Sequence, residues 1–267
     1  MSGEVSIIKG GNFSLDPGAA FGTTPRSVWS RYVSVNEQYR INMDNNLVFI
    51  DNGGKHALID SGVGSIHADR FNSLFQVVPR IDLLDAIDAR AGGKLDYVFH
   101  SHMHFDHAGN SEVLRRKYKG VKLVAQQAEK HEITHTNELT SVSYDSVRPV
   151  KRSLVGIDGS RRLNSWLSVY HTGGHTIGHQ SIAFQVGKEK YLYIGDLAPS
   201  TFNLKPSRIT AIDTYPMDSL KWKKRLIRKA IAESITCIFS HDTVTPAARI
   251  SGTVEKFEIT PVDLPVY

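Results

Sequence analysis

One cysteine, Cys237, is all that this 267-residue chain contains, so an intrachain disulfide framework is excluded. It lies in the apolar run Ile235-Thr236-Cys237-Ile238-Phe239 and reads as a buried strand thiol rather than a nucleophile. No apolar run approaches the ~18 residues that a membrane span requires. Neither sign of charge dominates: 32 Lys and Arg against 27 Asp and Glu leave +5. That balance fits a dispersed globular protein, and it gives no strong reason to expect a nucleic-acid or membrane partner. The N-terminus, Met1-Ser2-Gly3-Glu4-Val5, has no basic n-region and no long apolar h-region. No secretion signal is read there, and a cytoplasmic location is the default expectation. Repeats and low-complexity linkers are also missing, so residues 1–267 are read as a single domain.

Histidine is the residue present in an informative pattern. Of 12 histidines, four fall between His100 and His107 and three between His171 and His179. Around them the chain alternates strand and helix signals. Leu47–Ile50 and Ala57–Asp60 flank Asn52-Gly53-Gly54 as a hairpin, and Ser181–Gln185 and Tyr191–Ile194 flank Gly187–Lys190 as a second. Helical spacing marks Ile81–Arg90 (stopped by Gly92-Gly93), Ser111–Tyr118, Ala128–His135 and Ser219–Glu233. Short apolar strands are expected at Leu95–Ser101, Val121–Ala125 and Ile235–Ser240. The pattern favours sheets in the middle with helices packed outside.

Residues 102–107 spell H-x-H-x-D-H. In an extended segment, residues two apart point the same way. His102 and His104 can therefore grip one metal, while Asp106 and His107 turn away and can serve a second. Imidazole and carboxylate together suit zinc, iron or manganese. Four ligands from one loop leave two sites incomplete. His175, in a Gly-Gly-His loop, Asp196, after the strand Tyr191–Ile194, and His241, after Ile238–Ser240, are the candidates to complete them.

The ordered set H-x-H-x-D-H, His175, Asp196, His241 resembles the metallo-β-lactamase superfamily of hydrolases. The resemblance implies an αββα four-layer sandwich. It implies that His102, His104 and His175 hold one ion, that Asp106, His107 and His241 hold another, and that Asp196 bridges them. It further implies two divalent ions (zinc first, iron or manganese as alternatives) sharing a hydroxide, with Asp106 and Asp196 as the catalytic carboxylates. The segments Leu15–Pro25, Leu58–Gly62 and Gly195–Ser200 resemble the group of acyl-homoserine-lactonase-like and organophosphate-hydrolase-like members. The expected function is hydrolysis of a lactone or related ester. A phosphoesterase or organophosphate hydrolase is the alternative, and a glyoxalase II-like thioesterase comes third, because only 26 residues follow His241. True β-lactamases of the superfamily lack the bridging Asp, which disfavours antibiotic hydrolysis. The lactonase pattern places Tyr where this chain has Pro199, and some relatives place His where it has Asn203. Phe21, Trp29, Tyr32 and Phe202 are candidate apolar contacts for a small-molecule substrate.

Other features read as structural. His56, His67 and His171 are ordinary core or surface histidines, whereas His100 and His179 flank ligands and are candidates for orienting them. His131-Glu132-Ile133-Thr134-His135 spells the zinc-protease motif H-E-x-x-H, but its neighbours are polar and it is read as a coincidence. The helix Ser219–Glu233 carries Lys221, Lys223, Lys224, Arg225, Arg228 and Lys229 beside an apolar stripe. It is expected to lie on a sheet with its basic face in water.

Overall fold

The computed structural model describes residues 3–65 and 69–267, with Arg70 described by its backbone alone. Met1, Ser2 and His67, on which two of the sequence expectations rest, lie outside the described residues.

The chain forms two sheets. The first contains β1 (Glu4–Leu15), β2 (Ile41–Asp51), β3 (His56–Ile59), β4 (Tyr97–Phe99), β5 (Lys122–Gln126) and β6 (Leu154–Ile157), hydrogen-bonded in that order. The second contains β7 (Arg161–Arg162), β8 (Leu167–His171), β9 (Gln180–Val186), β10 (Glu189–Tyr193), β11 (Thr236–Ile238), β12 (Ala247–Gly252) and β13 (Phe257–Pro261), again neighbours in sequence order. β3 through β6 run parallel, as do β10 and β11; the other neighbouring pairs are antiparallel.

Side-chain alternation builds the layers. Along β2, Val48 and Ile50 point inward with Ile7, Ile59 and Phe99 to meet Val169, Ile182, Phe184 and Ile238 of the second sheet. Leu47 and Phe49 point outward and join Leu58, Val98 and Leu123 under Leu83 and Ile87 of the helix Leu83–Ala91. On the far side, Leu192, Cys237 and Phe239 pack against Leu226, Ile227 and Ala230 of the helix Pro216–Ala232. A sheet buried on both faces needs apolar residues at every position, and β2 supplies them from Leu47 to Ile50. The result is the expected αββα sandwich.

Both expected hairpins form, with Asp51 opposite His56 and Val186 opposite Glu189. Cys237 is fully buried and its thiol is pushed up to about 12 by burial. Gly92 ends its helix in the left-handed conformation. Three details differ from the sequence reading. β4 stops at Phe99, because His100–His102 leave the sheet for the site. The helix expected over Ala128–His135 spans Gln127–Glu132. On the basic helix, Lys223 is buried rather than in water, its Nζ donating to the Arg208 carbonyl at 2.7 Å; the other five cations are not buried. Among the described residues no helix is long and apolar enough to cross a membrane.

Candidate metal centre

Loops leaving the ends of strands converge at one edge of the sandwich. β4 feeds His102 and His104, and the helix Phe105–Ala108 presents Asp106 and His107. The loop between β8 and β9 supplies His175. β10 and β11 are parallel neighbours, so the residues just past their ends, Asp196 and His241, emerge side by side. All seven side chains singled out from sequence meet here, in two groups. His102, His104 and His175 form one; Asp106, His107, Asp196 and His241 form the other. Ligand atoms within each group lie within 4.8 Å of one another.

Three imidazoles are turned toward the centre by what their outer nitrogens touch. His107 Nδ1 meets Asp60 Oδ2 at 2.7 Å, His175 Nδ1 meets Asp213 Oδ1 at 3.0 Å and His241 Nδ1 meets the Asp44 carbonyl at 2.7 Å. Each partner only accepts, so each Nδ1 carries the proton and donates. In the neutral ring, Nε2 then presents a lone pair inward. His107 Nε2 lies 3.1 Å from His241 Nε2, and His175 Nε2 lies 3.2 Å from His104 Nδ1. Asp196 is shared between the groups. Its Oδ1 lies 3.3 Å from His107 Nε2 and 3.2 Å from His241 Nε2, whereas its Oδ2 lies 3.5 Å from His175 Nε2.

With both Nδ1 protons facing outward, the neutral His107 and His241 rings turn lone pairs on each other, which repel unless a cation lies between them. His102 Nε2 makes the same point singly: it is buried without a hydrogen-bond partner among the described residues. An orphaned imidazole nitrogen among converging nitrogens and carboxylates is what a divalent cation with N and O preference requires. The residues present therefore fit such ions. Protons show the same demand for positive charge. Burial pulls His107 and His241 down, yet the neighbouring carboxylates, Asp196 foremost, raise both above the ordinary imidazole value. Desolvation among the packed side chains, with His175 beside it, holds the half-buried His104 down to about 3.

Four residues stand behind these side chains and orient them. Asp60, in the left-handed region just past β3 (φ 61°), accepts from Ser101 N at 2.7 Å, Ser101 Oγ at 2.8 Å and Tyr193 Oη at 2.8 Å, besides His107. Asp213 accepts from Thr210 Oγ1 at 2.6 Å while it holds His175. His179 Nε2 accepts the Asp196 backbone N–H at 3.0 Å, as expected of an orienting histidine. The approach is close enough that a Cβ on Gly195 (φ 64°) would sit 2.6 Å from that nitrogen. Glu129, completely buried, takes four donors. Its Oε2 accepts from Met103 N (2.7 Å) and Tyr144 Oη (3.0 Å), and its Oε1 from Thr176 Oγ1 (2.5 Å) and Gly178 N (3.1 Å). It thus ties the His102–His104 segment to the His175 loop. His100, by contrast, bonds Ser111 Oγ at 2.7 Å and touches no ligand. The sequence reading assigned no role to Asp60, Asp213 or Glu129. A buried acid in an otherwise apolar context was the available signal for the first, and nothing periodic marks the other two.

Two cavities open on the centre. One, about 350 Å³, is floored by His104, Asp106, Asp196 and His241 and walled by Phe13, Phe75, Val142 and Ile212. Pro199 lines this cavity. The other, about 830 Å³, also reaches His241 and is lined by Phe21, Tyr32, Phe202 and Asn203. Trp29 stacks behind Phe21, ring centroids 5.3 Å apart. The H-E-x-x-H histidines are exposed, their rings stacked 3.8 Å apart, so His131 and His135 form no buried site. His56 and His171 bond backbone carbonyls in the ordinary way.

A family model described as the metallo-beta-lactamase superfamily matches residues 42–241. An N-acyl homoserine lactonase from Bacillus sp is 29% identical over 143 residues, which cover 49% of this chain and 54% of that protein. The match thus spans about half of that relative's length. A probable metal-dependent hydrolase from Staphylococcus aureus, of known structure, is 27% identical with a TM-score of 0.86, covering 98% of both chains. AidC, a dizinc quorum-quenching lactonase solved with a bound product, shares the fold at a TM-score of 0.77 and 17% identity, covering 98% of this chain and 95% of its own.

Proposed function

The chain belongs to the metallo-beta-lactamase superfamily, and from that premise we propose that it is a dinuclear metal-dependent hydrolase of lactones or related esters. The observation that carries the reading is the division of Asp196, one oxygen facing each histidine group. In this reading His102, His104 and His175 would hold one divalent ion and Asp106, His107 and His241 the other, with the Asp196 carboxylate available to both. Zinc is the first candidate, with iron or manganese as alternatives. When bound, the ions supply Lewis acidity toward water and toward the substrate oxygen.

The protein's own part is to bind, orient and relay. Asp60, Asp213 and the Asp44 carbonyl fix the imidazoles, so that no reorganisation is needed during reaction. Asp106, on the floor of the smaller cavity, is placed to carry a proton to the leaving alkoxide. Leu139, Val142 and Ile212 border the same cavity and are exposed, an apolar rim that suits an acyl chain. Phe21 and Phe202, with Trp29 behind them, shape the larger one. The lactonase activity of the Bacillus relative and of AidC supports the substrate class. Where the lactonase pattern has Tyr, Pro199 offers no hydroxyl. Ser143, on the wall of the same cavity, carries one that could orient the substrate carbonyl.

The test is ring opening of a medium-chain acyl homoserine lactone, followed by NMR, with protein of measured metal content. Opening with kcat/KM above ~10⁴ M⁻¹s⁻¹, within the ordinary enzyme range, supports the proposal. No opening with two ions bound overturns the lactone reading and moves phosphotriesters and aryl esters to the front.

A further inference from the structure

The larger cavity has a feature that an acyl chain alone does not need. Arg208 lines it, together with Lys205 and Lys256. Among the described residues none of the three has a carboxylate within ion-pair distance. Arg208 is also held still. Its guanidinium carbon lies 3.9 Å from the Phe202 ring centre and 5.3 Å from that of Tyr32. Nη1 donates to the Phe202 carbonyl at 3.1 Å, and the backbone N–H of Arg208 donates to the Lys205 carbonyl at 2.9 Å. The Arg208 carbonyl in turn accepts from the buried Lys223 ammonium at 2.7 Å. Nε and Nη2 have no protein acceptor among the described residues. Asp242, the acid on the cavity wall beside His241, is turned into its own loops, where it accepts from Thr201 N and Oγ1 and from Val244 N and Thr245 N. Glu255, the remaining acid of the lining, is exposed.

A guanidinium fixed by stacking, with a free edge of donors and no counter-ion, has its ordering entropy already spent. It is built to take an oxyanion in two parallel hydrogen bonds. Ala20, Met43 and His241 line both cavities, so the chamber that contains Arg208 adjoins the slot above the metal ligands. We propose that the larger cavity is an anion subsite. The substrate then carries a carboxylate at the end remote from the reacting carbonyl, and Arg208 binds it while the ester or lactone lies over the metal centre. This rests on the hydrolase reading and narrows its substrate to acidic esters or lactones. Phe202 and the buried Lys223 serve as positioning residues for the guanidinium.

Direct binding tests this without turnover. Metal-loaded protein is titrated calorimetrically with dicarboxylates from four to eight carbons, each against the monocarboxylate of equal length. Both members can reach the metal centre through one carboxylate, so their difference reads the second. At least one dicarboxylate should bind tenfold or more tighter than its partner. The advantage should fall at least fivefold in Arg208→Gln and be partly retained in Arg208→Lys. It should also shrink as salt rises from 50 to 300 mM, as for a partly exposed ion pair. Equal affinities at every length, or an advantage that survives Arg208→Gln, overturn the proposal. If Arg208→Gln does not fold, Lys205→Gln and the salt dependence of the native protein decide between the same outcomes. Failure to open a neutral acyl homoserine lactone would count against the lactone reading and leave this measurement standing on its own.

Discussion

Replacing Glu129 with glutamine changes one oxygen to NH₂ and almost nothing in volume, which isolates its hydrogen-bonding role. Each carboxylate oxygen receives one backbone N–H and one hydroxyl: Met103 N with Tyr144 Oη, and Gly178 N with Thr176 Oγ1. The hydroxyls can rotate to accept from an amide. The backbone N–H groups cannot. Whichever way the glutamine is turned, its NH₂ faces one peptide N–H, and that donor is left buried and unpaired at a cost of about 1–3 kcal/mol. Loss of the charge on the remaining bonds raises the expected total to about 2–4 kcal/mol. Urea unfolding of the metal-loaded protein should show a lower midpoint with an unchanged slope. Because Met103 lies between His102 and His104, and Thr176 beside His175, one ion should also be held about 10–100-fold more weakly, in the range seen when outer-shell partners are removed. The ion at Asp106, His107 and His241 should be affected less. An Glu129→Gln protein with the native urea midpoint and two native metal affinities would refute the argument that this carboxylate sets the two loops.

Gly195→Ala places a methyl 2.6 Å from His179 Nε2 at a φ of 64°; it should lower thermal stability and metal content together, measured by calorimetry and metal analysis. Burial holds Lys223 down to about 8, so its folded pKa lies below its unfolded value of 10.5. The unfolded chain binds the extra proton between those values, so stability should rise with pH from about 8 to 10.5, by on the order of 3 kcal/mol. Lys223→Met should flatten that rise in denaturation series across the window. Glu132→Ala, in the exposed H-E-x-x-H segment, should leave hydrolysis and metal content unchanged; a folded, metal-loaded but inactive variant would revive the protease reading. Chelation should abolish hydrolysis and lower the melting temperature, with both restored on adding zinc or manganese, since ligands that bind only the folded state stabilise it.

The parts legible in the sequence were those governed by local rules. The hairpin at Asn52–Gly54, the glycine-capped helix Leu83–Ala91 and the H-x-H-x-D-H segment each announce themselves through spacing within about ten residues. β1 went unread because the register shift between Lys9 and Asn12 breaks its alternation. β7 consists of two exposed arginines and shows no apolar periodicity, and β13, at the sheet edge, alternates only Phe257 and Ile259 with exposed residues, too short a run to stand out. Orienting residues are hidden for another reason. Asp213 is 38 residues from His175 in an irregular loop, and Glu129 is 26 from Met103. Their roles depend on tertiary meeting, which no local pattern encodes. Lys223 shows the same limit: its spacing fits a wet helical face, and only the approach of the Arg208 loop buries it.

The first sheet delivers four of the seven proposed ligands and the second sheet three. His107 and His241 meet across 134 residues of chain. An ion gripping both would close a very long loop, and loop-closure entropy grows with length. A chain with a single cysteine can form no covalent tie within itself, yet coordination would pin its two halves in the same topological sense as a disulfide. Such a tie is reversible and responds to metal supply rather than to redox state. The sandwich would then be held tightest when it is competent for reaction and loosest when it is stripped, so that metal scarcity would act on the lifetime of the protein as well as on its turnover.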